Sequence, residues 1–206
     1  MLFRSNAPPG DEKRLAPSPY NSQPTDWSSD GRFLIYATLN PKTQWDLWRL
    51  PMSDAPDNRP MPLLETDFNE HLGRLSPNGR WLAYVSDASG RNEVYVRAFP
   101  EAAAVTPIST NGGSEPRWRR DGEELYYLAA DRRLMSVGVR SGAVFESVAP
   151  RVLFALKIGP TRNSGYDVNY TVSGDDTRFL VSEMATDANA QPVRIVINWP
   201  AALGKR

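Results

Sequence analysis

The sequence contains no cysteine and only one histidine, His71. Without cysteine it has neither a disulfide framework nor a thiol nucleophile, and it cannot build a zinc site from Cys and His ligands. Because 24 Lys and Arg residues balance 24 Asp and Glu residues, it lacks the net positive charge expected of a nucleic-acid binder. No apolar run approaches the roughly 18 residues of a transmembrane helix, and the first residues lack the apolar core of a secretory signal. We therefore expect no metal, no cofactor, no nucleic-acid partner and no direct membrane insertion.

Proline (18) and glycine (14) are instead plentiful, and they separate short apolar runs. Residues 71–99, HLGRLSPNGRWLAYVSDASGRNEVYVRAF, show the unit most clearly. The run 81–85 and the run 93–97 are rich in Val, Tyr, Trp and Leu, residues that suit a half-buried strand. The sequences 76–79 and 87–90 carry the Pro, Asn, Asp and Gly residues of tight turns. This unit therefore predicts three strands joined by two turns.

The same unit recurs four times along the chain. An apolar residue that we call the anchor ends each first strand, at intervals of 48, 43 and 54 residues: Trp27, Leu75, Trp118 and Val172. Four residues after each anchor comes a position predicted to need a positive φ: Gly31, Gly79, Gly122 and Asp176. Third strands follow in every unit and fourth strands in three of them, with prolines that favour a sheet edge. Four antiparallel strands repeated every 40–50 residues or so indicate an all-β fold, a β-propeller.

The repeat predicts about four blades, at residues 23–70, 71–114, 115–166 and 167–206. Residues 1–22 look like the outer strands of a preceding or closing blade, with a third strand at 1–4 and a fourth at 12–15. We expect an open array cut from a longer propeller, which would self-associate through its terminal blades. The alternative is a closed ring in which the segment around Arg14 and Leu15 completes the last blade and protects its edge.

The pattern W-S-x-D-G-R-x-L-x-Y, followed by a D-L-W or E-V-Y-V strand, resembles the WD-repeat-like blades of TolB-type propellers. More narrowly, QPTDWSSDGRFLIY, SPNGRWLAYVSDASGRNEVYVRAFP and VINWPAAL resemble the C-terminal propellers of bacterial receptor-type serine/threonine protein kinases. The resemblance covers residues 23–199. It implies the sensing or scaffolding part of a larger signalling protein, and an extracytoplasmic location if that protein is a membrane-anchored receptor. The sequence itself has none of the kinase motifs.

Neither a hydrolase nor a metal-dependent enzyme is indicated by the motifs. The nucleophile-elbow pattern G-x-S-x-G does not occur. His71 begins the first strand of its unit, and an ordinary strand-end histidine is favoured over a general base because no nucleophile and orienting acid accompany it. Trp27, Trp81 and Trp118 are expected to fill the core. Trp45 is expected in the long turn 40–45, where packing over the adjacent strand is favoured over contact with a ligand.

Candidate ligand-binding residues precede the four anchors: Asp26, Arg74, Arg117 and Thr171. The first strand of a propeller blade is innermost, so these residues should form a ring around the axis. Asp26 and Arg74, from adjacent blades, could pair and leave Arg117 available to an acidic ligand group; the alternative is that the ring only satisfies itself. His71 is a fifth candidate residue for the lining of the central channel. We therefore predict a non-catalytic module that binds a protein or peptide, and as an alternative the gating propeller of a prolyl-oligopeptidase-like hydrolase.

Overall fold

The computed structural model describes residues 18–52, 59–101, 104–158 and 168–183, and also the backbone of 193–197. All regular structure in these residues is β-strand, so the all-β prediction is confirmed. None of them forms a helix long and apolar enough to cross a membrane. The strands predicted at 1–4 and 12–15 lie outside the described residues.

The strands form four antiparallel sheets in chain order, which we number as blades 1 to 4. Blade 1 consists of β1 (Ser22–Trp27), β2 (Phe33–Asn40), β3 (Gln44–Pro51) and β4 (Met61–Leu64). Blade 2 consists of β5 (Glu70–Leu75), β6 (Trp81–Ser86), β7 (Glu93–Ala98) and β8 (Val105–Pro107). Blade 3 consists of β9 (Gly113–Trp118), β10 (Glu124–Ala129), β11 (Arg133–Ser141), β12 (Phe145–Ser147) and β13 (Arg151–Ala155). In blade 4 the described strands are β14 (Tyr170–Val172), β15 (Arg178–Ser182) and β16 (Val193–Ile197).

The turn between the first and second strands of each blade, called here the first turn, has the predicted conformation. Its key residue has a positive φ in every blade, as listed here: Gly31 (74°), Gly79 (66°), Gly122 (77°) and Asp176 (57°). Each of these residues donates its backbone N–H to the carbonyl three residues earlier, at 2.8 to 2.9 Å. The substitution of aspartate for glycine in the fourth turn is therefore tolerated, as expected from the local hydrogen bonding of Asp side chains.

The fourth strands occupy the outer edges, as their prolines predicted. Pro62 lies in β4 and Pro107 in β8, each at the end of its sheet. Blade 3 differs from the prediction, because β11 is nine residues long and pairs with both β12 and β13. β13 takes the place of the outer strand, whereas β12 forms an additional hairpin with the end of β11.

Hydrophobic clusters between successive blades form the core. Between blades 1 and 2, Leu75 packs in one cluster with Ile35 and Leu47. A Cβ built on Gly73 would lie 3.2 Å from side-chain atoms of both Ile35 and Leu47, so the inner strand of blade 2 packs closely against blade 1. Two further clusters join blade 2 to blade 3 and blade 3 to blade 4. The anchors of blades 2, 3 and 4 therefore contact the preceding blade.

The expected burial of the tryptophans is only partly correct. Trp81 is buried in the cluster between blades 2 and 3 and is 7% exposed. Trp27 is 47% exposed, so its prediction as a core residue is wrong. The physical reason is that Trp27 is the anchor of blade 1, and among the described residues no earlier blade packs against it. Trp45 lies within β3 rather than in a turn, and it packs against the cluster between blades 1 and 2.

Gly79→Val should lower the free energy of unfolding by about 1–3 kcal/mol, because a β-branched residue is strained at positive φ. A Cβ at Gly79 would meet nothing within 4 Å, so the whole cost comes from the backbone. Denaturant unfolding measures it, with Gly79→Asn as the control that accepts this conformation. Equal stability of the Val variant and the wild type would contradict the assignment of the turn.

Candidate functional site

Each of the first three inner strands contains a β-bulge directly before its ring residue. One extra residue interrupts the pairing between Pro24 and Asp26 in β1. The same occurs between His71 and Arg74 in β5, and β9 has a corresponding irregularity ahead of Arg117. A bulge bends its strand and re-aims the side chains beside it. The repeated bulge therefore gives Asp26, Arg74 and Arg117 equivalent positions at the ends of their strands.

Asp26 and Arg74 bind the neighbouring inner strands. Asp26 Oδ2 accepts the backbone N–H of Leu75 at 2.7 Å. The guanidinium of Arg74 donates to the carbonyl of Thr25, and its Nη1 lies 3.8 Å from Asp26 Oδ1. The predicted pairing of Asp26 with Arg74 is therefore present, as a long ion pair supported by backbone hydrogen bonds. Both side chains are engaged in joining blade 1 to blade 2.

Arg117 is placed differently. Its Nη1 donates at 2.9 Å to the carbonyl of Pro116, its own neighbour in the chain. Among the described residues, no carboxylate lies within ion-pairing distance of Arg117. Its guanidinium is half-buried, so several of its five N–H donors are left for water or a ligand.

Asp26, Arg74, Arg117 and Thr171 line one open cavity of about 650 Å³. The first turns contribute to the rim, so the cavity opens on the face that carries them. Five further residues line the cavity that were not predicted from the sequence: Ser29, Ser76, Pro77, Arg120 and Val168. The anchors Trp27, Leu75 and Trp118 also line it. Leu75 is buried at the same time, and Trp118, which was expected in the core, is half-buried and packs against the core. Proximity to the turn in the repeat is the signal that could have identified Ser29, Ser76, Pro77 and Arg120.

Trp118 forms part of the cavity wall and is fixed to the preceding blade. Its Nε1 donates to the carbonyl of Arg74 at 3.0 Å. Arg120 belongs to the rim and joins blade 3 to blade 4, because its backbone N–H donates to Asp176 Oδ1 at 3.1 Å and its Nη1 to the carbonyl of Gly174 at 3.2 Å. Three arginines and one aspartate of the lining give the cavity an excess of positive charge.

Burial acts on both charges of the Asp26–Arg74 pair. It raises the pKa of Asp26, although the hydrogen bond from Leu75 and the charge of Arg74 act in the opposite direction. It lowers the pKa of Arg74 to about 10, and repulsion from Arg117 contributes to that shift. At neutral pH Arg74 therefore stays protonated.

His71 does not belong to this site. It is buried at the opposite end of β5, paired with Val85, and it does not line the cavity. Its Nδ1 has no hydrogen-bond partner in the part of the chain that the structure describes. Burial lowers the pKa of His71 to about 4, so the ring is neutral at physiological pH.

Carboxyl groups lie near this opposite end of β5, and Glu70 and Asp46 among them are buried. Glu70 accepts a hydrogen bond from Thr66 Oγ1 at 2.6 Å, and Asp87 accepts both the N–H and the side-chain amide of Asn69. Burial raises the pKa of Glu70 to about 7, and repulsion from Asp46 and Asp87 adds to the effect. Within the described ranges, no three His, Cys, Asp or Glu residues are grouped to hold a metal ion.

No family model matches the chain, and no curated protein matches it. Several solved structures do match it. TolB from Acinetobacter baumannii has a TM-score of 0.65 at 15% identity, and the match covers 89% of this chain and 43% of the TolB chain. A Mycobacterium tuberculosis puromycin-hydrolyzing peptidase has a TM-score of 0.59 at 19% identity, and the match covers 81% of this chain and 28% of the peptidase chain. The β-propeller domain of Myceliophteria thermophila Cps50 (Swd1) has a TM-score of 0.50 at 14% identity, and the match covers 83% of this chain and 55% of the Cps50 chain.

At such low sequence identity, these structural matches show only that the fold is shared. The chain is a β-propeller with TolB-type and WD40 structural neighbours, which confirms the fold and the TolB-type part of the resemblance. It spans less than two thirds of each of these neighbours. The narrower resemblance to the propellers of receptor kinases stays a prediction.

The opposite pKa shifts of Glu70 and His71 predict a compensated pH dependence. The pKa of Glu70 rises on folding from 4.5 to about 7, so its contribution to stability is complete below pH 4.5 and is lost as the pH rises to 7. The pKa of His71 falls from 6.5 to about 4, so its contribution is complete above pH 6.5 and is lost as the pH falls to 4. The two contributions oppose each other between these limits.

Glu70→Gln should therefore remove the contribution of Glu70 and leave that of His71 unopposed. Relative to the wild type, the variant should lose about 2–3 kcal/mol of unfolding free energy when the pH falls from 7 to 4.5. His71→Gln should show the reverse trend, with relative stability lost as the pH rises from 4 to 6.5. Denaturant unfolding at four or five pH values measures both, and parallel curves for the variants and the wild type would contradict the prediction.

Proposed function

We propose that this chain is a non-catalytic binding module that receives an acidic group of a protein or peptide partner in the cavity lined by Arg117. The observation that carries the proposal is the difference between the ring residues. Asp26 and Arg74 are engaged by neighbouring strands, whereas the hydrogen bond that Arg117 donates within the described residues goes to the carbonyl of its own neighbour, Pro116. A half-buried guanidinium is suited to bidentate binding of a carboxylate.

The cavity has the dimensions and composition of a recognition site. Its volume of about 650 Å³ lies within the usual range for ligand sites, and tryptophan side chains accompany the arginines in its lining. Trp and Arg are the residue types that most often dominate binding energy at interfaces. A short peptide segment with an acidic side chain or a free C-terminus has the matching chemistry.

The module is proposed to serve as the sensing or scaffolding part of a larger bacterial signalling protein, as the resemblance to receptor-kinase propellers suggested. In a membrane-anchored receptor it would then lie outside the cytoplasm. The alternative is the gating propeller of a prolyl-oligopeptidase-like hydrolase, and the fold shared with the M. tuberculosis peptidase is compatible with it. The sequence flanking the chain distinguishes the two: a kinase domain with a membrane segment supports the first, and a G-x-S-x-G domain supports the second.

Self-association is a further part of the proposal. In blade 3 the anchor Trp118 is bonded to the preceding blade, whereas the equivalent Trp27 is 47% exposed. An exposed anchor supports contact with a second apolar surface. Sedimentation velocity at several protein concentrations tests this, with Trp27→Ser as the variant. A wild type that stays monomeric throughout would contradict it.

Arg117→Ala should weaken the binding of an acidic peptide about tenfold or more, because a charge-assisted hydrogen bond to the carboxylate is lost. Calorimetric titration of the full chain with a short Glu-rich peptide, and with the matching Gln peptide, measures this effect. Arg32→Ala is the control, since it removes the same charge from an exposed first-turn residue outside the cavity lining. Equal affinities of Arg117→Ala and the wild type, or equal affinities for the two peptides, would contradict the proposed function.

A further inference from the structure

The hairpin of β11 and β12 projects from the face on which the cavity opens. The pairing of β10 with β11 ends at Glu124 and Gly138, directly after the first turn of blade 3. Beyond that point β11 pairs with β12 instead, from Val139 with Ser147 to Ser141 with Phe145. The hairpin therefore begins where the sheet of blade 3 ends, next to the rim of the cavity.

Phe145 fastens this hairpin to two blades. Its ring centroid lies 5.3 Å from that of Trp81 in blade 2, with an interplanar angle of 62°. The ring centroid of Phe145 lies 6.4 Å from that of Trp118 in blade 3, with an interplanar angle of 87°. These are edge-to-face arrangements, which aromatic rings prefer. The tip of the hairpin remains in solvent, and Val144 is 70% exposed.

Trp118 connects Phe145 to the cavity. One side of the indole meets Phe145, and its Nε1 donates to the carbonyl of Arg74. The same indole forms cavity wall beside Arg74 and Arg117, whereas Phe145 does not line the cavity. Phe145 thus contacts a residue of the wall without lining the cavity, and the hydrogen bond to Arg74 is a second contact that holds the indole.

We propose that Phe145 is a positioning residue for the cavity: it holds the indole of Trp118 in place and so increases the affinity for the ligand without touching it. This inference rests on the proposed function. A side chain that is already ordered loses less conformational entropy when a ligand binds against it. Without the ring of Phe145, Trp118 keeps its hydrogen bond to Arg74 and its packing against the cluster between blades 2 and 3, but it loses the edge-to-face contact. The ligand must then order more of the wall as it binds.

The test compares three substitutions in the hairpin, using the same Glu-rich peptide. Phe145→Ala should weaken binding about three- to tenfold, the range expected when one side chain must be ordered on binding. Phe145→Tyr keeps the ring and should bind within a factor of about two of the wild type. Val144→Ser is the matched control at the exposed tip and should leave the affinity unchanged. Thermal melts confirm that each variant is folded, and Phe145→Leu replaces the Ala variant if that one is not.

A double-mutant comparison separates positioning from a general loss of structure. In a Trp118→Leu background, Phe145→Ala should cause no further loss of affinity, because the side chain through which it acts is gone. An equal loss in both backgrounds, or no loss in the wild-type background, would overturn the positioning role while the proposed function stands. If the wild type does not bind the acidic peptide at all, the proposed function fails, and the positioning role fails with it.

Discussion

Among the described residues, the inner strand of each blade has one edge without a neighbouring strand, and side chains of adjacent blades satisfy part of that edge. Asp26 accepts the N–H of Leu75, Trp118 donates to the carbonyl of Arg74, and the hydroxyl of Tyr170 donates to the carbonyl of Glu115 at 2.7 Å. Buried backbone groups need partners, and a propeller provides them around its axis through side chains rather than through a further strand. The candidate site includes Asp26, Arg74, Leu75 and Trp118, so its geometry depends on how the blades are joined.

The bulges in the inner strands make these contacts possible, at a conformational cost. Leu72 and Glu115 lie within bulges and have positive φ values of 53°. Such values are strained for these residue types, and surrounding contacts must hold them in place. Glu115 is held by Asn169, which donates both its backbone N–H and its side-chain amide to the carboxylate. Blade 4 thereby stabilises the strand of blade 3 that carries Arg117.

Local sequence determines the features that were predicted correctly. The first turns, the third strands and the edge strands follow from Gly, Asp and Pro at fixed positions and from runs of Val, Tyr and Leu. The exposure of Trp27 could not be predicted, because it depends on whether another blade packs against the anchor. The hairpin at Phe145 was missed because β11 continues to Ser141, beyond the predicted third strand at 134–137, and pairs there with β12. Pro24 and Pro116, which lie at bulges within inner strands, were the available signal for the irregular pairing.

The two ends of the inner strands differ in charge, and this difference favours one direction of approach. At the end with the first turns, Arg74, Arg117 and Arg120 line an open cavity. At the other end Asp46 and Glu70 are buried, and burial raises the pKa of both. An incoming acidic group would be repelled by these carboxyl groups whenever they are ionised, whereas the arginines attract it. An acidic ligand is therefore expected on the face that carries the first turns, where the hairpin at Phe145 supports the cavity wall.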